Sequence, residues 1–237
     1  MILCLRIIQI EIIRKKMKIG LVGYGKMGQS IADICQEQGH QVIARITSRK
    51  RDFSQCERAD VCIDVSSSEA VLDNIKQIHA MKKPLIVGTT GWEEQVDEAK
   101  FLVEKNCLPL LFAPNFSIGM HLFQRVLKQA CQLFTPFNYS IAALEMHHEN
   151  KQDKPSGTGK TLEKVLKNSC QTLSIRSGHY PGNHTVFFDA PEDTVEMTHR
   201  ARNREGFARG ALEAALWILT KEKGFFTFDD FIEEKML

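Results

Sequence analysis

One stretch of the chain, Glu145-Met-His-His-Glu-Asn-Lys-Gln-Asp-Lys-Pro-Ser-Gly-Thr158, gathers imidazole, ammonium, carboxylate and hydroxyl groups into a single short segment. An imidazole with an unperturbed pKa of about 6.5 donates or accepts a proton at neutral pH, and a lysine supplies a fixed donor and charge for an anionic substrate. His147 and Lys151 are therefore the candidate catalytic pair, suited to moving a proton to carbon or nitrogen. Ser156, Gly157 and Thr158 stand where a helix is expected to begin, and hydroxyls with free N–H groups there make a receptor for a carboxylate. Two rival chemistries are weaker. The Gly157-Thr-Gly-Lys-Thr161 run lacks the first glycine of a phosphate-binding loop, because position 154 is Lys154. A metal site from His147, His148 and a distant His184 or His199 has no paired-ligand spacing, so none is assigned.

These groups need rigid elements on both sides. Tyr139–Leu144 is apolar and short, as a strand is, and Gly159–Leu166 places Leu162, Val165 and Leu166 on one helical face, with the helix expected to run to about Thr172. Upstream, the run Lys18–Val22 leads into Gly23-Tyr24-Gly25-Lys26-Met27-Gly28 and then a helix with Met27, Ile31, Ile34 and Cys35 at its period. Gly23 would make the tight turn, Gly25 would let backbone approach a pyrophosphate, and Gly28 would let helix pack on strand. The second strand, Gln41–Ile46, ends in Thr47-Ser-Arg-Lys-Arg51, where a dinucleotide site reads the adenosine ribose. Hydroxyl and guanidinium groups suit a 2′-phosphate better than a 2′-hydroxyl, so Ser48 and Arg49 point to NADPH as the preferred cofactor, with NADH possible.

Further strands are expected at Ala59–Val65, Lys83–Val87 and Leu108–Phe112, with helices to about Met81 and from Glu93 to Lys105 between them. Gly88, Thr89 and Thr90, then Ala113, Pro114, Asn115 and Phe116, fall at strand carboxyl ends, where ligands of open parallel sheets bind; they are expected to border the nicotinamide half. Repeating strand and helix give a doubly wound parallel sheet of Rossmann-like α/β type. After a helix over Ser117–Phe134 the pattern changes to alternation at 174–177, 184–189 and 193–199, with turns at Pro181-Gly182 and 190–192. That pattern predicts a second, α+β domain with a mixed or antiparallel sheet, whose open face suits self-association. The expected division is a dinucleotide-binding domain of 1–117 with 204–237 and a substrate-binding and oligomerisation domain of 118–203. An apolar helix from Phe207, carrying Ala211, Leu212, Ala215, Leu216 and Leu219, would return to the first.

The 237 residues are 43% hydrophobic and 25% charged with a formal charge of +2, too balanced for a nucleic-acid or membrane surface. Seven scattered cysteines without a Cys-x-x-Cys pair argue against a disulfide framework or zinc cluster, and for a cytoplasmic setting. Residues 1–16 are too charged for a membrane span, and Met17 reads as the working start.

Taken together, Gly23–Gly28, Gly88–Gly91, Ala113–Phe116, the Glu145–Thr158 motif and Glu196-Met-Thr-His-Arg-Ala-Arg-Asn-Arg204 resemble the 4-hydroxy-tetrahydrodipicolinate reductase family, in order from about Met17 onward. The resemblance implies reduction of a cyclic, dianionic imine by a nicotinamide cofactor on the route to diaminopimelate and lysine. It implies His147 as proton donor/acceptor, Lys151 as second proton donor, and His148 with Gly157 and Thr158 as substrate-carboxylate contacts. It further implies a homotetramer and hinges near 113–118 and 204–207. The chain departs from the commoner family pattern in its shorter glycine loop, in lacking an acidic ribose reader, and in Asn150 where a histidine is frequent. From another class, a nicotinamide-sensing regulator with the same fold and no turnover is the alternative; such a protein has no need of His147 and Lys151 beside a carboxylate receptor.

Overall fold

A computed structural model of the chain describes residues 16–167 and 170–237; the reading of the segment before Met17 falls almost wholly outside them. The chain divides into two compact units, one formed by the described part of Met1–Phe116 with Phe207–Leu237, the other by Ser117–Gly206.

The first unit is a parallel sheet of six strands in the order β10-β5-β4-β3-β1-β2. Its strands are β1 (Lys18–Val22), β2 (Gln41–Ile46), β3 (Val61–Asp64), β4 (Leu85–Val87), β5 (Pro109–Phe112) and β10 (Gly224–Thr227). The helices are α1 (Lys26–Glu37), α2 (Val71–Ala80), α3 (Val96–Asn106), α6 (Glu205–Ile218) and α7 (Phe228–Met236). Ile19, Leu21, Val61, Ile63 and Leu85 to Val87 are fully buried, as expected where helices cover both faces of a parallel sheet. The expected Rossmann-like architecture is thus present.

Two glycines of the first turn are sterically required. Gly23 has φ +90°, and a Cβ there would lie 2.5 Å from the Val65 carbonyl oxygen; a Cβ on Gly28 would lie 2.3 Å from the Gly23 carbonyl oxygen. Strand β10 and helix α7 extend the unit beyond what apolar periodicity reveals. The helix opens on a capping box in which Thr227 and Asp230 satisfy each other's backbone N–H groups, a short-range signal that Thr-x-x-Asp carried in the sequence.

The second unit has a four-stranded sheet in the order β7-β6-β8-β9, with β6 (Ser140–His147), β7 (Thr172–Arg176), β8 (Asn183–Asp189) and β9 (Thr194–Arg200). Strand β6 runs parallel to β7 and antiparallel to β8, and β8 pairs antiparallel with β9, so the sheet is mixed. Helices α4 (Ile118–Phe134) and α5 (Gly157–Val165) belong to this unit. Leu127, Ala130, Leu162, Leu166, Val186 and Phe188 form its core. The helix expected to reach Thr172 stops at Val165. Lys167 takes a left-handed φ of 56°, and the Glu163 carboxylate accepts the Thr172 N–H at 2.7 Å, so Thr172 starts a strand instead.

Helix α6 offers a paired test of packing. A Cβ on Gly210 would lie 1.9 Å from the Phe116 carbonyl oxygen, whereas one on Gly206 meets nothing within 4 Å. Gly210→Ala is expected to destabilise by about 2 kcal/mol or more through overpacking. Gly206→Ala is expected to be neutral or to stabilise by up to about 1 kcal/mol. Urea denaturation of the two variants checks this, and equal effects would contradict it.

Candidate active site

Period-two geometry puts Glu145 and His147 on the same, buried face of β6. Glu145 is fully buried, and donors from the start of α5 and from β7 surround it. Its Oε1 accepts from the Ser156 N–H at 2.9 Å, the Ser174 hydroxyl at 2.9 Å and Arg176 Nη2 at 2.6 Å; its Oε2 accepts from the Ser156 hydroxyl. His184 Nε2 lies 3.6 Å from Oε2. Burial is the largest single influence on the Glu145 carboxyl and would raise its pKa. The nearby His184, Ser156 and Arg176 together outweigh burial and hold it well below the ordinary carboxylate range.

Ser156 links this carboxylate to the expected anion receptor. It is the N-cap of α5, accepting the Gly159 N–H at 3.0 Å while donating to Glu145. A Cβ on Gly159 would lie 2.7 Å from Glu145 Oε2, so a glycine is needed for the carboxylate to sit beneath the helix. Gly157, by contrast, has open space where its Cβ would project, and Thr158 follows it, half-buried. The Gly-Thr-Gly-Lys-Thr run thus has a local structural use at Gly159.

The loop between β6 and α5 is held by its backbone. The His148 N–H donates to the Tyr180 carbonyl at 2.8 Å, and the Lys151 N–H to the His148 carbonyl at 3.1 Å. Arg176 Nε donates to the Lys151 carbonyl at 3.3 Å, and its Nη2 also reaches the Asp153 carbonyl. Lys151 Nζ pairs with Asp153 Oδ1 at 2.8 Å, and that pairing outweighs burial to keep the Asp153 carboxyl below its usual range. His147 is buried; burial first, then the charges of His184, Lys151 and Arg176, push it down to about 4 against the opposing pull of Glu145. The structure therefore brings His147, Lys151, His148 and the Ser156–Thr158 turn onto one strand, loop and helix start. Sequence reasoning gave no role to Glu145, Ser174 or Arg176, and none to His184 beyond an unsupported metal site. Glu145, His147 and His184 do offer donor atoms within 4.8 Å of one another. Arg176 on the same carboxylate oxygen places a positive charge where a cation would sit, so the cluster is an ion-pair and hydrogen-bond network.

In the first unit the dinucleotide candidates lie around the carboxyl ends of β1 to β5. Helix α1 begins at Lys26 with Gly25 as N-cap, no side-chain cap and no acidic residue in its first turn, and a Cβ on Gly25 meets nothing within 4 Å. These features fit a phosphate approaching the helix N-terminus. Tyr24 packs under the Arg45 guanidinium, 5.2 Å from the ring centroid, and Met27 is half-buried. Ser48 and Arg49 form the exposed tip of a turn closed by the Thr47 and Lys50 backbones, while Arg51 is committed to Asp73 and Asn74.

The Gly88-Thr89-Thr90 segment is anchored by Asp64. The Thr89 hydroxyl donates to Asp64 Oδ1 at 3.1 Å, and Asn74 Nδ2 and the Ser66 N–H donate to the same carboxylate, each at 2.8 Å. Burial raises the Asp64 pKa against those hydrogen bonds. Thr90 and Pro114 are exposed, Asn115 half-buried, and Ala113 and Phe116 buried. The Phe116 ring packs where a Gly88 Cβ would stand, 2.4 Å away, and edge-on to Phe228, so Phe116 holds the unit together.

Comparison with known proteins covers most of the chain. The sequence profile described as "Dihydrodipicolinate reductase, N-terminus" matches residues 17–116, and that described as "Dihydrodipicolinate reductase, C-terminus" matches residues 119–232. The 4-hydroxy-tetrahydrodipicolinate reductase of Staphylococcus carnosus is 35% identical over 90% of this chain and 99% of its own length. That of Thermosipho africanus is 34% identical over 93% of this chain and 100% of its own length. Among solved structures, the dipicolinate-bound dihydrodipicolinate reductase of Paenisporosarcina sp. TG-14 shares the fold with a TM-score of 0.70 at 19% identity, covering 90% of this chain and 98% of that one. With both halves matched in order, the chain belongs to the dihydrodipicolinate reductase family.

Proposed function

We propose that the chain reduces 4-hydroxy-tetrahydrodipicolinate to tetrahydrodipicolinate with a reduced nicotinamide dinucleotide, in diaminopimelate and lysine biosynthesis. The observation that carries this reading is the Glu145-centred network, which ties His147, the Lys151 loop and the start of α5 into one arrangement within a family of this activity. A bound reduced dinucleotide supplies the hydride. Gly23 to Gly28 with the N-terminus of α1 would hold its pyrophosphate, and Ser48 and Arg49 its ribose end. Gly88 to Thr90 and Ala113 to Phe116 would border its nicotinamide half, Phe116 by packing from beneath. His148 and the Ser156–Thr158 turn receive the substrate carboxylates. His147 and Lys151 handle the proton that accompanies reduction, Lys151 as the charged donor and His147 as a buried imidazole that a dianionic ligand would make more basic.

The dipicolinate bound to the Paenisporosarcina reductase supports a small dicarboxylate as the substrate class. Preference for NADPH follows from the exposed Arg49 beside Ser48 with no carboxylate in that turn. Exposed Leu173 and Ile175 on the outer face of the four-stranded sheet support self-association through that sheet, as a homotetramer. Among the described residues no helix is long and apolar enough to cross a membrane.

Oxidation of NADPH in the presence of freshly made substrate tests the activity. Turnover is expected, and a Lys151→Ala/His147→Ala double variant is expected to lose about 100-fold or more in kcat. Cofactor binding without turnover in the parent chain would favour a sensor, and undiminished turnover in the double variant would remove the proposed chemistry. For the cofactor, Arg49→Ala is expected to raise the KM for NADPH about tenfold more than that for NADH. An unchanged ratio of the two would refute the ribose assignment.

A further inference from the structure

We propose that His184 is a positioning residue for His147, packed edge-on against its ring beside the Glu145 carboxylate that both imidazoles face. The inference rests on the proton-handling role given to His147 above and adds a residue to which no role has yet been given. Antiparallel pairing of β6 with β8 sets Glu145 opposite His184, which brings the His184 ring onto the buried face next to His147. The two rings meet edge to face, with centroids 5.2 Å apart and planes at 77°. His184 Nε2 lies 3.6 Å from Glu145 Oε2, and His147 Nδ1 lies 3.9 Å from Oε1. Both side chains are nearly withdrawn from solvent, at 7% exposure for His147 and 4% for His184.

Oε1 of Glu145 already takes three donors, from Ser156, Ser174 and Arg176, which exceeds its two lone pairs. Among the described residues Oε2 accepts only the Ser156 hydroxyl, and His184 Nε2, at 3.6 Å, stands beyond hydrogen-bond distance though nearer than His147. The His184 ring is held instead by its edge-to-face packing on His147. The opposite edge of His147 faces Gly182. With φ +146°, Gly182 would carry a Cβ only 3.2 Å from His147 Nε2, so the glycine keeps that nitrogen clear. His147 is thus held with Nδ1 toward the carboxylate and Nε2 toward the open side.

Two imidazoles around one carboxylate share a single opposing charge. At His147 the Glu145 charge attracts a proton and a charge on His184 repels it. The other charged or titratable groups facing the pair are Arg176 from β7, Lys151 from the loop and His199, which pairs with His184 across β8 and β9. The His184 charge lowers the proton affinity of His147 and the Glu145 charge raises it. Removing His184 must therefore move the His147 titration to higher pH, and removing the Glu145 charge must move it lower.

The test follows the His147 imidazole by NMR of 13C-labelled histidine in the full chain without substrate, as pH is varied. His184→Asn is expected to raise the His147 midpoint, and Glu145→Gln to lower it. His184→Gln, with circular dichroism to verify folding, is the second variant should His184→Asn fail to fold. An unchanged His147 midpoint in a folded His184 variant overturns the proposal. The pH profile of kcat/KM separates this from the functional reading. If the NMR coupling is present but no limb of the profile depends on His147, the proton-handling role fails while the coupling stands. If such a limb exists and stays in place in the His184 variant, the coupling fails while the role stands.

Discussion

The Glu145 carboxylate is fully removed from solvent, and a charge in that position costs several kcal/mol unless donors surround it. Here the donors are Ser156 at the start of α5 and Ser174 and Arg176 on β7, with His184 of β8 packed close by. Satisfying the carboxylate therefore fixes the loop carrying Lys151 and the helix N-terminus that follows it. Arg176 contributes twice, neutralising Glu145 and binding the carbonyls of Lys151 and Asp153. One buried negative charge and one buried positive charge hold in place a loop that has little hydrophobic anchoring of its own.

A similar device appears in the first unit with a different balance. Asp64 at the end of β3 is also fully buried, but its donors are neutral: the Ser66 N–H, the Asn74 amide and the Thr89 hydroxyl. With no cation in contact among the described residues, burial wins and its pKa rises, whereas Glu145 with Arg176 is driven the other way. In both cases the carboxylate joins a strand end to segments distant in sequence, which is how a loop gains definition without apolar packing.

The glycine turn, the parallel sheet and the polar loop were legible in the sequence because their signals are local. Gly28 is demanded by a clash with Gly23 inside the turn and Gly23 by its own left-handed φ, and buried strands such as Val61 to Ile63 read as apolar runs. The role of Glu145 was not legible, since its partners Ser174 and Arg176 stand 29 and 31 residues away and meet it only through the register of β6 with β7. His184 was hidden for the same reason. The helix that was expected to reach Thr172 failed because its composition favours a helix while Lys167 and the Glu163 bond to Thr172 redirect the chain. Strand β10 was missed because four residues after a charged turn show no periodicity; only its alignment with β5 makes it a strand.

The central claim is that Glu145 preorganises the loop and the start of α5 that carry the candidate chemistry. Amide hydrogen exchange in Glu145→Gln tests it most directly. The N–H groups of Ser156, Gly159 and Lys151 should exchange about tenfold faster or more than in the parent chain, while those of the β8–β9 ladder near Phe188 stay protected. Unchanged protection at Ser156 and Gly159 in a folded Glu145→Gln variant would contradict the account.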